Sequence, residues 1–140
     1  MGYRSEVKSV IYQTKKKFDK FYKDNQEEID YFQDTFRSLS IATKGQYKVL
    51  FLNCYDVKWY DVFPEVQAWH KFLEKAEAKG MYYEFVRLGE DDSDVETHYS
   101  DYGTKDGSYI LELEWHSKAN VSVNFEREDY VRNTIQELSD

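Results

Sequence analysis

Hydrophobic residues recur along this chain with two periods, and the switches between them lay out the elements. Tyr3 to Gln13 (YRSEVKSVIYQ) predicts a first strand carrying the β-branched residues Val7, Val10 and Ile11. Its alternation is imperfect, which fits an edge position or a bulge. Thr14 then offers a hydroxyl to cap a helix. From Lys15 onward the apolar positions Phe18, Phe21, Tyr22, Ile29, Phe32 and Phe36 step by three, four and seven, with Asn25 in the missing turn. One long helix, or two short ones broken near Asn25, satisfies that spacing. Ser38 to Gly45 reads as a connection in which Leu39 and Ile41 form at most a short extended piece.

Tyr47 to Trp59 (YKVLFLNCYDVKW) is the strongest strand signal. Its middle, Val49 to Leu52, is apolar on both faces, as in a central strand covered on both sides. Asp61 to Lys79 predicts a helix, with Pro64 in the first turn and a buried stripe of Val66, Trp69, Phe72, Leu73 and Ala76. Gly80 stands where a helix end wants a left-handed residue. Met81 to Leu88 follows as a strand. Tyr109 to Trp115 alternates, with Tyr109, Leu111, Leu113 and Trp115 on one side and Glu112, Glu114 and His116 on the other, the solvent side. Ser117 to Asn120 is turn-like, Val121 to Phe125 reads as a returning strand, and Val131, Ile135 and Leu138 allow a short helix. Repeats, low-complexity segments and linkers are lacking, so residues 1–140 are expected to form one α+β domain. The expected fold is a mixed or antiparallel sheet of about five strands with two or three helices mainly on one face, split βαβ-like, with right-handed crossovers setting the first three strands.

Composition narrows the class. A chain of 140 residues is long enough for a single core, and 33% charged residues with one Pro and six Gly is a globular balance. Aromatic residues make up 18%, with Tyr in excess, which suits either a small aromatic core or a recognition surface. The single Cys54 rules out an internal disulfide framework and any multi-cysteine zinc site, and fits a small core residue in the central strand better than a nucleophile. No apolar run reaches the roughly 18 residues of a membrane span. The N-terminus lacks the apolar region of a secretory signal. Gly2 stands where a myristoylation signal would place it, but Glu6 occupies the required Ser or Thr position. A cytoplasmic setting is expected.

Charge is unevenly spread. The chain carries a net −8, and the window from Glu84 to Glu114 alone holds ten acids against Arg87 and Lys105. Everything outside it balances to zero, so the acidity is a local feature. An acidic chain does not bind phosphate backbones in general. The first 58 residues do carry eleven bases against eight acids. That small basic face leaves single-strand stacking on sheet aromatics such as Tyr47, Tyr55, Trp59, Tyr83 or Trp115 as a weaker reading. The Lys15-Lys16-Lys17 run opposes the helix macrodipole and reads as a solvated face.

The opening MGYRSEV, and the block from Lys58-Trp59-Tyr60 through Phe85-Val86-Arg87-Leu88-Gly89-Glu90 into the acidic run from Asp91 to Tyr99, resemble small uncharacterised proteins of bacteriophages and prophages. The resemblance covers roughly half of the chain and lies in local patterns, with no catalytic signature. It implies a phage or integrated-element origin and action in the cytoplasm of a bacterial cell. It brings no activity and no site residues.

Three chemistries compete for the acid cluster. As hard ligands for Ca²⁺ or Mg²⁺, Glu90, Asp91, Asp92, Asp94, Glu96 and Asp101 fail the EF-hand spacing. Counted from Asp92, Thr97 stands at the glycine position and Gly103 at the final glutamate; counted from Glu90, those places fall to Val95 and Asp101. As acid–base groups, carboxylates with His98 or His116 would need a partner motif, and His70, His98 and His116 show no ligand spacing. His70, beside Trp69, is expected at the edge of the buried helix face. As a recognition surface, Glu90, Asp91, Asp92, Asp94, Glu96 and Asp101, flanked by Tyr99 and Tyr102, would dock a protein partner with a basic surface, in the strong form by imitating nucleic-acid phosphates. A solvated loop that keeps the protein soluble accounts for the same residues. The expectation is therefore a non-enzymatic phage accessory protein that binds a partner, with no cofactor and no membrane contact, and the alternative is a metal-dependent enzyme using the 90–101 carboxylates.

Overall fold

A computed structural model of the chain describes residues 2–91, 93–100, 110–115, 119–123 and 127–130. The elements run β1 (Ser5–Thr14), α1 (Lys15–Asp24), α2 (Gln26–Phe36), β2 (Leu39–Lys44), β3 (Tyr47–Val57), α3 (Pro64–Ala78), β4 (Tyr82–Gly89), β5 (Val95–Tyr99), β6 (Leu111–Trp115), β7 (Ala119–Val123) and β8 (Arg127–Tyr130). This is an α+β fold. Six strands form one sheet in the order β5-β4-β1-β3-β2-β8, and β6 and β7 pair separately. Every neighbouring pair is antiparallel.

The connections follow from that order. β1 and β2 run the same way, joined through α1 and α2, and β3 lies between them. β3 and β4 likewise share a direction, joined through α3, and β1 lies between them. Two interleaved split βαβ units result, the ferredoxin-like arrangement. The first strand and the Tyr47–Trp59 strand are therefore antiparallel neighbours, because β2 intervenes where the sequence reads as a connection.

β1 is central, not an edge. Val7, Ser9 and Ile11 face the helices while Lys8, Val10 and Tyr12 face the opposite side, and all six are buried. Burial on both faces removes the polar half of the alternation, and a register irregularity between Ser5 and Val7 accounts for the rest. Thr14 stands at the N-cap of α1, but its hydroxyl makes no capping bond. The helix breaks at Asn25, where the backbone N–H and the side-chain Nδ2 both donate to the Phe21 carbonyl (3.0 and 2.8 Å). Two helices, rather than one, let Phe18, Phe21, Ile29 and Phe32 all point at the sheet. Eight of the twenty buried residues of the helix-side core are aromatic, and Phe32 stands 5.0 Å from Trp69 and 5.2 Å from Phe72, centroid to centroid. Trp69 Nε1 donates to Ser9 Oγ (3.1 Å), which donates in turn to the Glu84 carbonyl (2.9 Å). The buried indole thus keeps a partner.

Strands β6 and β7 lie on the other face of the sheet. Ile110, Leu111 and Val121 pack with Val10, Tyr12, Val49, Phe51, Val86 and Leu88. The described part of the strand expected over Tyr109 to Trp115, β6, therefore does not extend the main sheet but covers it. Tyr47 and Trp59 are buried and Tyr83 half-buried, while Tyr55 is exposed, so these residues offer no continuous stacking platform. The side chains of Glu112, Glu114, Trp115 and His116, and the helix expected around Val131, Ile135 and Leu138, lie outside the described residues.

Candidate functional site

The acidic segment is built by the β4–β5 hairpin at one edge of the sheet. β5 pairs with β4 alone in the sheet order, with Arg87 opposite Glu96 and Leu88 opposite Val95. Gly89 N–H donates to the Asp94 carbonyl (2.8 Å), closing the turn. Inside it, Asp91 Oδ1 accepts from both the N–H and the hydroxyl of Ser93 (3.0 and 2.8 Å), which fixes the bend and lowers the Asp91 carboxyl pKa.

Arg87 organises the cluster. It shares the helix-side face of β4 with Phe85, and its guanidinium binds Asp94 through two bonds, Nη2 to Oδ1 (2.7 Å) and Nη1 to Oδ2 (3.1 Å). Its Nε donates to Glu96 Oε1 (2.9 Å) and Nη1 also to Ser5 Oγ (3.2 Å). A planar fork satisfied on both edges is a rigid clamp. The Tyr3 hydroxyl adds a third donor to Asp94 (Oδ2, 2.7 Å) and accepts from the Asp91 N–H (3.1 Å), while the Arg4 N–H donates to Glu90 Oε1 (2.8 Å). The residues ahead of β1 thus strap across the turn. The hydrogen bonds from Arg87 and Tyr3 hold the Asp94 carboxyl at about 2. For Glu96, burial pushes upward, but the Arg87 and His98 bonds outweigh it and the carboxyl falls below its ordinary value.

Glu96 also links to histidine. His98 Nε2 lies 2.7 Å from Glu96 Oε2, and the His98 ring stands 5.9 Å from that of His70 on α3, both against Phe85. His70 is half-buried at the edge of the helix face, as its place beside Trp69 leads one to expect, and burial lowers its pKa. The carboxylate–imidazole pair orients His98, but no hydroxyl or thiol nucleophile bonds to it among the described residues.

The cluster therefore divides. Glu90 and Asp91 are exposed at the turn, whereas Asp94 and Glu96 converge on the Arg87 guanidinium and serve as its frame. Tyr99 is half-buried, opposite Glu84 in the β4–β5 register. Asp92, Asp101 and Tyr102 lie outside the described residues. Among the described residues no group of three or more His, Cys, Asp or Glu side chains is arranged to hold a metal. Glu84, the first acid of the window, does not face solvent at all. Only 1% exposed, it accepts from the Tyr12 hydroxyl (2.7 Å) and from the N–H groups of Ile110 (3.0 Å) and Leu111 (2.8 Å).

Arg87, Tyr3 and Glu84 carry structure that charge counting missed. The signal for Arg87 was present: it is the one arginine among ten acids, on the same strand parity as Phe85. Tyr3 gave none, because its partners are more than eighty residues away in the chain. Comparison with family models, with curated proteins and with solved structures finds no match to this chain.

Proposed function

We propose that the protein acts by binding, with the β4–β5 turn as the docking surface for a protein partner that presents a basic face. The observation that carries this reading is the rigid presentation of Glu90 and Asp91 on a turn clamped by Arg87, Asp94 and Tyr3. Carboxylates held in place before contact lose little conformational freedom on binding. The charge imbalance of the chain lies in this window, so its field steers an oppositely charged surface toward the turn. In this reading Glu90, Asp91 and Asp92 make the contacts, and Asp94 and Glu96 keep the turn in shape. The local resemblance to phage and prophage proteins favours an accessory role in a bacterial host, with carboxylates standing in for nucleic-acid phosphates at a host or phage protein.

The test is capture from bacterial lysate at low and high salt, with the wild-type chain and with a Glu90→Lys, Asp91→Lys double variant. A partner retained at low salt, released at high salt and not captured by the variant is the expected result. Equal capture by both chains would sink the acidic-face reading.

A further inference from the structure

Two concavities lie end to end between α3 and the α1–α2 pair, the first of them reaching Gly80 just ahead of β4, away from the acidic turn. The first, about 440 Å³, lies over Phe21 and is lined by Lys17, Lys20 and Asp24 of α1 and by Lys75 and Lys79 at the end of α3. The second, about 400 Å³, has walls of Tyr31, Phe32, Ala68 and Phe72. Lys75 borders both, its ammonium paired with Glu28. Together they run along α3 from Ala68 to Gly80, about 18 Å at the helical rise. Each is the size of an ordinary small-molecule site.

Four lysines against one carboxylate is an unusual lining in a chain of net −8. Three of them have local reasons to be there. Lys20 pairs with Asp24, Lys75 pairs with Glu28, and Lys75 and Lys79 sit at a helix C-terminus, where the macrodipole favours cations. Lys17 has none. It lies in the first turn of α1, where the dipole disfavours a cation, and makes no ion pair or side-chain hydrogen bond among the described residues. Lys79 likewise has no ion pair there. The spacings Lys17/Lys20 and Lys75/Lys79 also place like charges one turn apart, at a cost to each helix. Lys20, with Lys23 and Lys79, draws the Asp24 carboxyl below its ordinary value, as a positive local field must. An anion seated between Lys17 and Lys79 would relieve that repulsion. The neighbouring half of the groove is different in kind: Tyr31 is 45% exposed there and its ring stands 5.3 Å from Phe32. Glu27 and Glu28 offset Lys71 and Lys75 in that half, so it carries no net positive charge for a further phosphate and a polynucleotide has no continuous positive track.

We propose that this groove binds a small phosphate-bearing molecule with an aromatic ring, of the mononucleotide class, with its phosphates among Lys17, Lys20 and Lys79 and its ring against Tyr31. The site is independent of the acidic turn.

Calorimetric titration at low ionic strength, without divalent metal, tests it with three probes: ATP, tripolyphosphate and adenosine. ATP is expected to saturate one site and to lose affinity as salt rises. Tripolyphosphate and adenosine should each bind about tenfold or more weaker, since each fills one half only. Lys17→Glu with Lys79→Glu should abolish ATP and tripolyphosphate binding. Tyr31→Ala should bring ATP down to the tripolyphosphate affinity and leave tripolyphosphate unchanged. These positions are exposed, so circular dichroism should show an intact fold. The Glu90→Lys, Asp91→Lys chain should bind ATP like wild type, which separates this site from the partner surface. Lack of saturation by ATP at about 10 mM, undiminished binding by the Lys17→Glu, Lys79→Glu chain, or tripolyphosphate binding as tightly as ATP would each overturn the proposal.

Discussion

Gly89 shows how much a single position controls at the acidic turn. A Cβ built there would collide with the Asp94 carboxylate and the Tyr3 hydroxyl, two groups that Arg87 and the strap before β1 hold in place. Neither can yield without breaking the clamp. Gly89→Ala is therefore expected to cost about 1–3 kcal/mol, read from urea unfolding, and to return the Asp94 carboxyl from about 2 toward the ordinary 3.8, read by NMR titration. Gly2 is the matched control. A Cβ there meets the Lys58 side chain and the Tyr60 hydroxyl, the movable ends of exposed or half-exposed groups, so Gly2→Ala should leave stability nearly unchanged. Equal effects at the two glycines would show that the clamp is not as described. None of this was legible in the sequence, because Gly89 reads there as one more residue before an acidic run. Its constraint comes from contacts with Tyr3, far away in the chain.

At the scale of elements, the covering of the second sheet face by β6 and β7 depends on the buried Glu84. Two consecutive N–H groups, of Ile110 and Leu111, meet its two carboxylate oxygens, and the Tyr12 hydroxyl donates to one of them as well. Glu84→Gln would aim an amide NH₂ at one of these donors, leaving it unsatisfied in an apolar setting at a cost of about 1–3 kcal/mol. Hydrogen exchange should then show lost protection at Ile110 and Leu111 while α3 keeps its own, since the layer can open by itself. Uniform loss of protection would refute that separation. Elements covered on both faces or on one clear stripe, namely β1, β3, β4 and α3, were legible because burial writes a hydrophobic pattern. The strands at or near the sheet edges were not. β5 (VETHY) carries polar residues on both faces and reads as loop, and β2 (LSIATK) is short and rich in hydroxyls, so it reads as connection. Only pairing with β4 and β3 makes them strands.

For the molecule as a whole, charge is separated along β4, with carboxylates at its far end and lysines near its start, and pH acts on both through stability. His70 faces Glu96 and His98 from β5, Asp61 from the turn before α3, and Glu74 from its own helix. Burial is the largest influence and lowers its pKa; His98 lowers it further, and the three carboxylates oppose without reversing the shift. Below its unfolded value of 6.5 the unfolded chain therefore binds a proton that the folded chain does not, and stability falls as pH drops through that value. The carboxylates form a second stage. Asp24, Asp91, Asp94 and Glu96 are all depressed, so their contribution is present above their unfolded values near 4 and is lost as pH falls toward about 2 for Asp94. Asp30, raised by burial and by Asp34, works the other way, and stability gains from its protonation. The urea midpoint should accordingly hold steady between about pH 7 and 8, decline as pH falls below about 6.5, and decline again below about pH 4. His70→Gln, neutral throughout, should erase the first decline and keep the second. If the variant loses stability just below pH 6.5 as steeply as wild type, His70 is not the group responsible, and the contact between α3 and the β5 edge carries no proton linkage.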